Sequence, residues 1–179
     1  MMKYVLTGGH GSGKTSILLY LERLNEYIIR EAASDYFYIE RAKRELFPLD
    51  NKYCEDEILS IHLKREKSIP ENISRVFLDR GTIDHLVYSK LYDLPLSEKN
   101  IYESKEVKYN LAFFIDLPSD FGIGLCTYRE NLESLNIHKE LLKAYLDCGI
   151  KVHRIKPAPL LKRVQKILRI VKDFEKETL

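Results

Sequence analysis

The sequence predicts an α/β fold of three layers, a parallel sheet held between helices, on three observations. Short apolar runs of strand length alternate with amphipathic stretches along the chain. Two of those runs, Val76-Phe77-Leu78 and Leu111-Ala112-Phe113-Phe114-Ile115, are apolar without interruption, as strands covered on both faces are. A glycine-dense turn separates the first run from the first amphipathic stretch.

Taken in order, Lys3 to Thr7 reads as the first strand, and Thr15 to Leu24 as a helix with Ile17, Leu18, Leu21 and Leu24 on one face. Tyr27 to Arg30 is the second strand. Helices follow over 33–47 and 53–67, separated by Pro48-Leu49-Asp50-Asn51, a turn that supplies its own N-cap. Arg75 to Asp79 is the third strand, Asn110 to Asp116 the fourth and Lys151 to Ile155 the fifth, the last preceded by a helix that Gly149 ends. Leu160, Leu161, Val164, Ile167, Leu168 and Val171 recur at helical spacing, so a final helix buries one face and turns its charges outward.

Composition narrows the class. The chain has 179 residues, 45% hydrophobic and 31% charged, which suits a single domain over 1–179 with a core that needs no disulfide or metal. No run of 18 apolar residues occurs, which excludes a membrane-spanning helix, and Met1-Met2-Lys3 leads into too short an apolar stretch for a secretory leader. Cys54, Cys126 and Cys148 are odd in number and scattered, an arrangement that fits a reducing cytoplasm and no zinc site. Net charge is +2, yet residues 151–179 carry nine Lys/Arg against three acids. With no aromatic residue among those cations before Phe174, the segment reads as a solvated helix face rather than a nucleic-acid surface. Oligomeric state stays open.

The sharpest signal is Gly8-Gly9-His10-Gly11-Ser12-Gly13-Lys14-Thr15, which fits G-x-x-x-x-G-K-[ST] between a strand and a helix. Such a loop turns its N–H groups inward around a phosphate, and glycine permits both the positive φ angles and the close approach. The following helix, opening through Ser16, adds the positive end of its dipole. Lys14 is expected to reach the β- and γ-phosphates of ATP, and the Thr15 hydroxyl to bind Mg²⁺.

A phosphate loop needs an acid on a neighbouring strand end for the metal. Asp79 closes the third strand and is the first choice, with Arg80 beside it; Asp116 closes the fourth and is the second. Glu31 ends the second strand, so its carboxylate should project to the same edge of the sheet, where open α/β sheets bind ligands. Charge spreading over the equatorial oxygens of a transferred phosphoryl group calls for cations beside it. Arg129, beyond the Gly122-Ile123-Gly124 stretch, suits a lid around 117–131, with Arg80 the other candidate. His10 reads as space-filling within the loop, and His62, His85, His138 and His153 show no ligand spacing.

The glycine loop, Arg30-Glu31-Ala32-Ala33, the run Phe77-Leu78-Asp79-Arg80-Gly81-Thr82-Ile83-Asp84 and the closing Val152-His153-Arg154-Ile155-Lys156-Pro157 together resemble the small AAA-domain-like P-loop NTPase family that includes ribosylnicotinamide kinase domains. The resemblance implies a nucleoside/nucleotide-kinase-like sheet of order 2-3-1-4-5, with the loop strand beside the Asp79 strand. From the more distant deoxynucleoside kinases it implies Glu31 as the base for an acceptor hydroxyl, Asp79 and Arg80 as the metal and phosphate pair, and Asp84 as orienting Arg80 or touching the acceptor. Cys126-Thr127-Tyr128 stands before Arg129 where the family often has an Asp-Gly pair.

The expected activity is a Mg²⁺-dependent small-molecule kinase moving the γ-phosphate of ATP to a nucleoside- or nucleotide-like acceptor. The alternative is an ATPase or nucleotide-switched protein acting on a macromolecular partner, for which the basic C-terminal helix is the supporting feature. No Asn-Lys-x-Asp or Thr-Lys-x-Asp guanine motif and no Leu-Ser-Gly-Gly signature occurs, which argues against a GTPase switch and an ABC protein.

Overall fold

The computed structural model describes residues 1–43, 54–118 and 128–178, excluding the side chains of 128–134. Its elements run β1 (Met2–Thr7), α1 (Lys14–Arg23), β2 (Tyr27–Ile29), α2 (Ala32–Lys43), α3 (Cys54–Lys67), β3 (Arg75–Asp79), α4 (Thr82–Tyr92), α5 (Glu98–Glu106), β4 (Leu111–Ile115), α6 (Tyr128–Asp147), β5 (Val152–Ile155) and α7 (Leu160–Thr178). The five strands form one parallel sheet of order β2-β3-β1-β4-β5. In its register Leu6 stands opposite Asp79 on one side and Phe113 on the other, so Thr7, Asp79 and Phe114 finish at one edge.

Alternation along the strands sorts the core into two layers. Tyr4, Leu6, Phe77, Leu111, Phe113 and Ile115 pack on Ile17, Leu18 and Leu21 of α1 and on Val164, Ile167 and Val171 of α7. Val5, Val76, Leu78 and Ala112 face the other way, onto Ile83 of α4 and Tyr145 of α6. Each such side chain, taken fully out of water, contributes about 1.5–3 kcal/mol. The centre of the sheet is therefore a rigid platform for the loops at its edge.

Element ends shift by a residue where a side chain or φ angle intervenes. Helix α1 starts at Lys14, because Gly13 at φ 88° is a left-handed cap. Strand β4 starts at Leu111, since the Asn110 side chain takes the Lys3 amide at 2.8 Å. Two helices, α4 and α5, fill the stretch between β3 and β4. Only α4 carries much apolar surface; α5 is polar along most of its length, so periodicity marks it poorly. Helix α2 is seen to Lys43; the expected continuation to 47, the turn at 48–51 and most of the expected lid lie outside the described residues.

Candidate active site at the glycine loop

The chain leaves β1 at Thr7 and must turn at once into α1. Gly8 makes that turn at φ 130°, and a Cβ there would sit 2.7 Å from the Ile115 carbonyl oxygen, so the position requires glycine. Gly11 and Gly13 also hold positive φ. The loop is braced from two helices. The Gly9 amide donates to His138 Nδ1 of α6 at 3.0 Å, and Arg163 Nη1 of α7 donates to the Ser12 carbonyl at 3.0 Å.

Lys14 is buried and folds back into the loop, its Nζ donating to the Gly8 and Gly9 carbonyls at 2.8 and 2.9 Å. Burial, then the nearby Arg80 charge, brings its pKa down to about 8. Thr15 donates its hydroxyl to Asp79 Oδ2 at 2.7 Å. Asp79 is 1% exposed, and its Oδ1 has no partner among the described residues. Burial raises its carboxyl above the ordinary range, against the Thr15 hydrogen bond and the Lys14 charge. Ser16 sits exposed on the first turn of α1.

Arg80 follows Asp79 with φ 73°, a strained value for a residue with a side chain, and its amide donates to the Leu6 carbonyl at 2.9 Å. That conformation turns the buried guanidinium back over the sheet edge. Its Nε donates to Glu31 Oε1 at 2.5 Å and its Nη1 to the Tyr88 hydroxyl at 2.9 Å; Nη2 lies 3.5 Å from His10 Nδ1. Burial alone would raise the Glu31 carboxyl, but the Arg80 charge and hydrogen bond, joined by Ser34, hold it below its usual value. His10 falls to about 4, through burial and then the charges of Arg80 and Lys14, so it is neutral at neutral pH.

Beneath this pair, Asp84 is fully buried. It accepts the Thr7 hydroxyl at 2.8 Å, the Gly81 amide at 3.0 Å and the Tyr145 hydroxyl at 2.5 Å, and stands 3.7 Å from Arg80 Nη1. Asp84 thus lies against Arg80 and is not among the described residues that line the neighbouring cavity.

The fold thus brings Lys14, Thr15, Glu31, Asp79 and Arg80 to one place at the C-terminal edge of β1, β2 and β3. Asp116 is elsewhere engaged, bonded to Arg154 Nη2 at 2.8 Å and 3.9 Å from His138 Nε2. Arg129 falls in the first turn of α6, and its side chain lies outside the described residues. Three contributors were not singled out from sequence. Tyr88 had a signal, since Asp84, Tyr88 and Tyr92 recur at i+4 on α4 beside Arg80. His138 and the buried pair Glu55–His85 had none, because only the packing of separate helices brings them to the site.

A cavity of about 360 Å³ opens beside the loop, lined by His10, Glu31, Phe37, Glu55, Arg80 and Tyr88 among others. That volume is within the range of small-ligand sites. A larger depression of about 600 Å³, between Lys3, Glu66 and Lys108, lies at the opposite edge of the sheet, away from the phosphate loop.

A family model described as AAA domain matches residues 3–163. No curated protein matches the sequence. The solved structure of the NadR protein in complex with NR matches with TM-score 0.69 and 19% identity over 97% of this chain and 51% of that one. A second NadR structure, with NAD and AMP-PNP, matches at TM-score 0.67 and 20% identity over 97% and 49%. The deoxyadenosine kinase from M. mycoides gives 0.64 and 16% over 96% and 100%, and the thymidylate kinase from Ehrlichia chaffeensis 0.63 and 14% over 95% and 98%. The chain spans about half the length of the NadR chains and nearly all of the two kinases. At these identities the likeness is one of fold: the three-layer α/β/α architecture of P-loop kinases.

Proposed function

The chain belongs to the AAA domain family, and from that premise and the site geometry we propose that it is a Mg²⁺-dependent kinase moving the γ-phosphoryl group of ATP to a nucleoside- or nucleotide-like acceptor. One observation carries the reading: the Glu31–Arg80 pair stands at the junction of the phosphate loop with a ligand-sized cavity. The space beside that carboxylate is large enough for an organic acceptor and not only for an attacking water.

The amides of the loop and the α1 N-terminus receive the phosphates. Lys14 exchanges the Gly8 and Gly9 carbonyls for phosphate oxygens, and Arg80 supplies charge at the γ-phosphate. Thr15 and the unpartnered Asp79 oxygen are the oxygen donors that fit Mg²⁺, which when bound neutralises charge on the β- and γ-phosphates. Glu31 aligns the acceptor hydroxyl and takes its proton while that oxygen bonds to the γ-phosphorus and the bridging oxygen departs with ADP. Arg129, at the head of α6, is assigned to the lid around 117–131, within one domain over 1–179.

The test is ADP release with MgATP, alone and with nucleosides, nucleoside monophosphates and NR, the ligand of the NadR structure. Stimulation of well over tenfold with a phosphorylated product is expected. Glu31→Gln should lose that stimulation while keeping basal hydrolysis, because the Gln carbonyl still accepts from Arg80. Slow release indifferent to every acceptor would overturn the kinase and return the ATPase or switch reading.

A further inference from the structure

The cavity beside the loop holds a second carboxylate that phosphoryl transfer does not use. Glu55, in the first turn of α3, lines it and is 8% exposed. His85 of α4 lines it too, with Nδ1 2.6 Å from Glu55 Oε1. A carboxylate only accepts, so Nδ1 carries the proton and fixes that oxygen. The His85 ring is held from behind by His62, edge to face with centroids 5.1 Å apart. His62 Nε2 donates in turn to Glu66 Oε1 at 2.9 Å, and Glu66 also receives the Tyr109 hydroxyl at 2.7 Å and Lys3 Nζ at 2.6 Å. Glu55 therefore ends a buried array anchored at the far edge of the sheet. No described residue bonds its Oε2.

The same cavity carries flat and apolar surface from Phe37, Ile58 and Tyr92, and a braced hydroxyl-accepting carboxylate, Glu31. We propose, resting on the kinase reading, that Glu55 is the specificity-determining residue of the acceptor site and selects planar-ring nucleosides bearing an N–H donor, an amine or a carboxamide. A fixed carboxylate oxygen has no proton to give. It rewards an N–H, is left unpaired by a ring that lacks one, and repels a ring carboxylate. Sites built around such a bond reject the analogue without it far more strongly than apolar pockets reject a missing methylene.

Three matched pairs test this: adenosine with purine riboside, cytidine with 2-pyrimidinone riboside, and nicotinamide riboside with nicotinic acid riboside. kcat/KM is measured for phosphorylation and Kd by calorimetry. The wild type is expected to favour the donor-bearing member of any pair it accepts by at least tenfold. Glu55→Gln, whose amide can donate as well as accept, should cut that preference at least tenfold and gain ground on the acid riboside. Should Glu55→Gln fail to fold by thermal melting, Glu55→Asp, which keeps the charge but withdraws it, is read the same way.

Phosphorylation without preference, or a variant that lowers both members equally, overturns the inference and leaves the kinase reading standing. Donor-selective binding without product supports the inference and overturns the kinase reading. Neither binding nor turnover overturns both.

Discussion

Lys14 carries its charge into a place that resists it. It is buried beside Arg80, and two carbonyl oxygens are its main compensation, with Ser12 Oγ at 3.4 Å. A pKa of about 8 means that, without nucleotide, roughly half of the molecules have lost this proton at pH 8. Phosphate oxygens favour the charged form and push the value up again. Nucleotide binding at pH 8 should therefore take up about half a proton per site, and affinity should fall as pH rises further. Calorimetry in two buffers of different ionisation enthalpy reads the uptake directly. Lys14→Ala should remove it and lower turnover by roughly 10²-fold or more, the scale of a lost transition-state donor. Binding with no proton exchange at pH 8 would show that the lysine is charged before the nucleotide arrives.

Helix α4 organises the Arg80 side of the site. Its N-terminal residues follow Arg80 directly, and one face then delivers Asp84 and Tyr88 to the same guanidinium. The helix can start there only because Gly81 has no side chain: a Cβ would lie 2.6 Å from the Tyr145 hydroxyl and about 3.0 Å from the Tyr109 ring. The φ there is −125°, so the constraint is space and not backbone strain. Gly81→Ala should destabilise the fold by about 1–3 kcal/mol, as overpacking does, and should move Asp84 away from Arg80. Denaturant unfolding measures the first effect and acceptor kcat the second; an unchanged midpoint would mean that both tyrosines yield freely.

Element by element, legibility followed burial. Strands β3 and β4 were readable to within a residue because both faces are covered and their runs are continuously apolar. Helix α5 was not, since Glu98, Lys99, Glu103, Lys105 and Glu106 leave no clear stripe. The contiguous glycine-loop motif singled out Lys14 and Thr15, and strand ends singled out Glu31, Asp79 and the adjoining Arg80. Glu55 and His85 lie 30 residues apart on two helices, and nothing short of the packing of α3 on α4 joins them.

At the scale of the whole molecule, four histidines act in one direction. The pKa values of His10, His62, His138 and His153 are all lowered, in each case first by burial, with neighbouring cations Arg80 and Lys14 adding at His10, Arg154 and Lys14 at His138, and Lys151 and Lys166 at His153. A histidine that binds its proton less readily when folded makes the unfolded chain the better proton acceptor below the ordinary value of about 6.5. Its contribution is complete above that pH and is lost as pH falls toward the folded value. His62 should dominate, being fully buried between Glu66 and the His85 ring, while the other three keep some solvent. Glu31 and Glu66, lowered in the fold by Arg80 and by His62 with Lys3 despite their burial, add a second loss below about pH 4.5, and Asp79, raised by burial, offsets part of it. Each pKa unit is about 1.4 kcal/mol against a total stability of about 5–15 kcal/mol, so the effect is large enough to see. The denaturant midpoint should drop between pH 7 and pH 5 with proton uptake on unfolding. His62→Gln, which can still donate to Glu66 but cannot charge, should flatten that slope. A midpoint constant over this window would mean that the buried His62–His85 contact admits a proton without opening, and that the array behind Glu55 is softer than its geometry indicates.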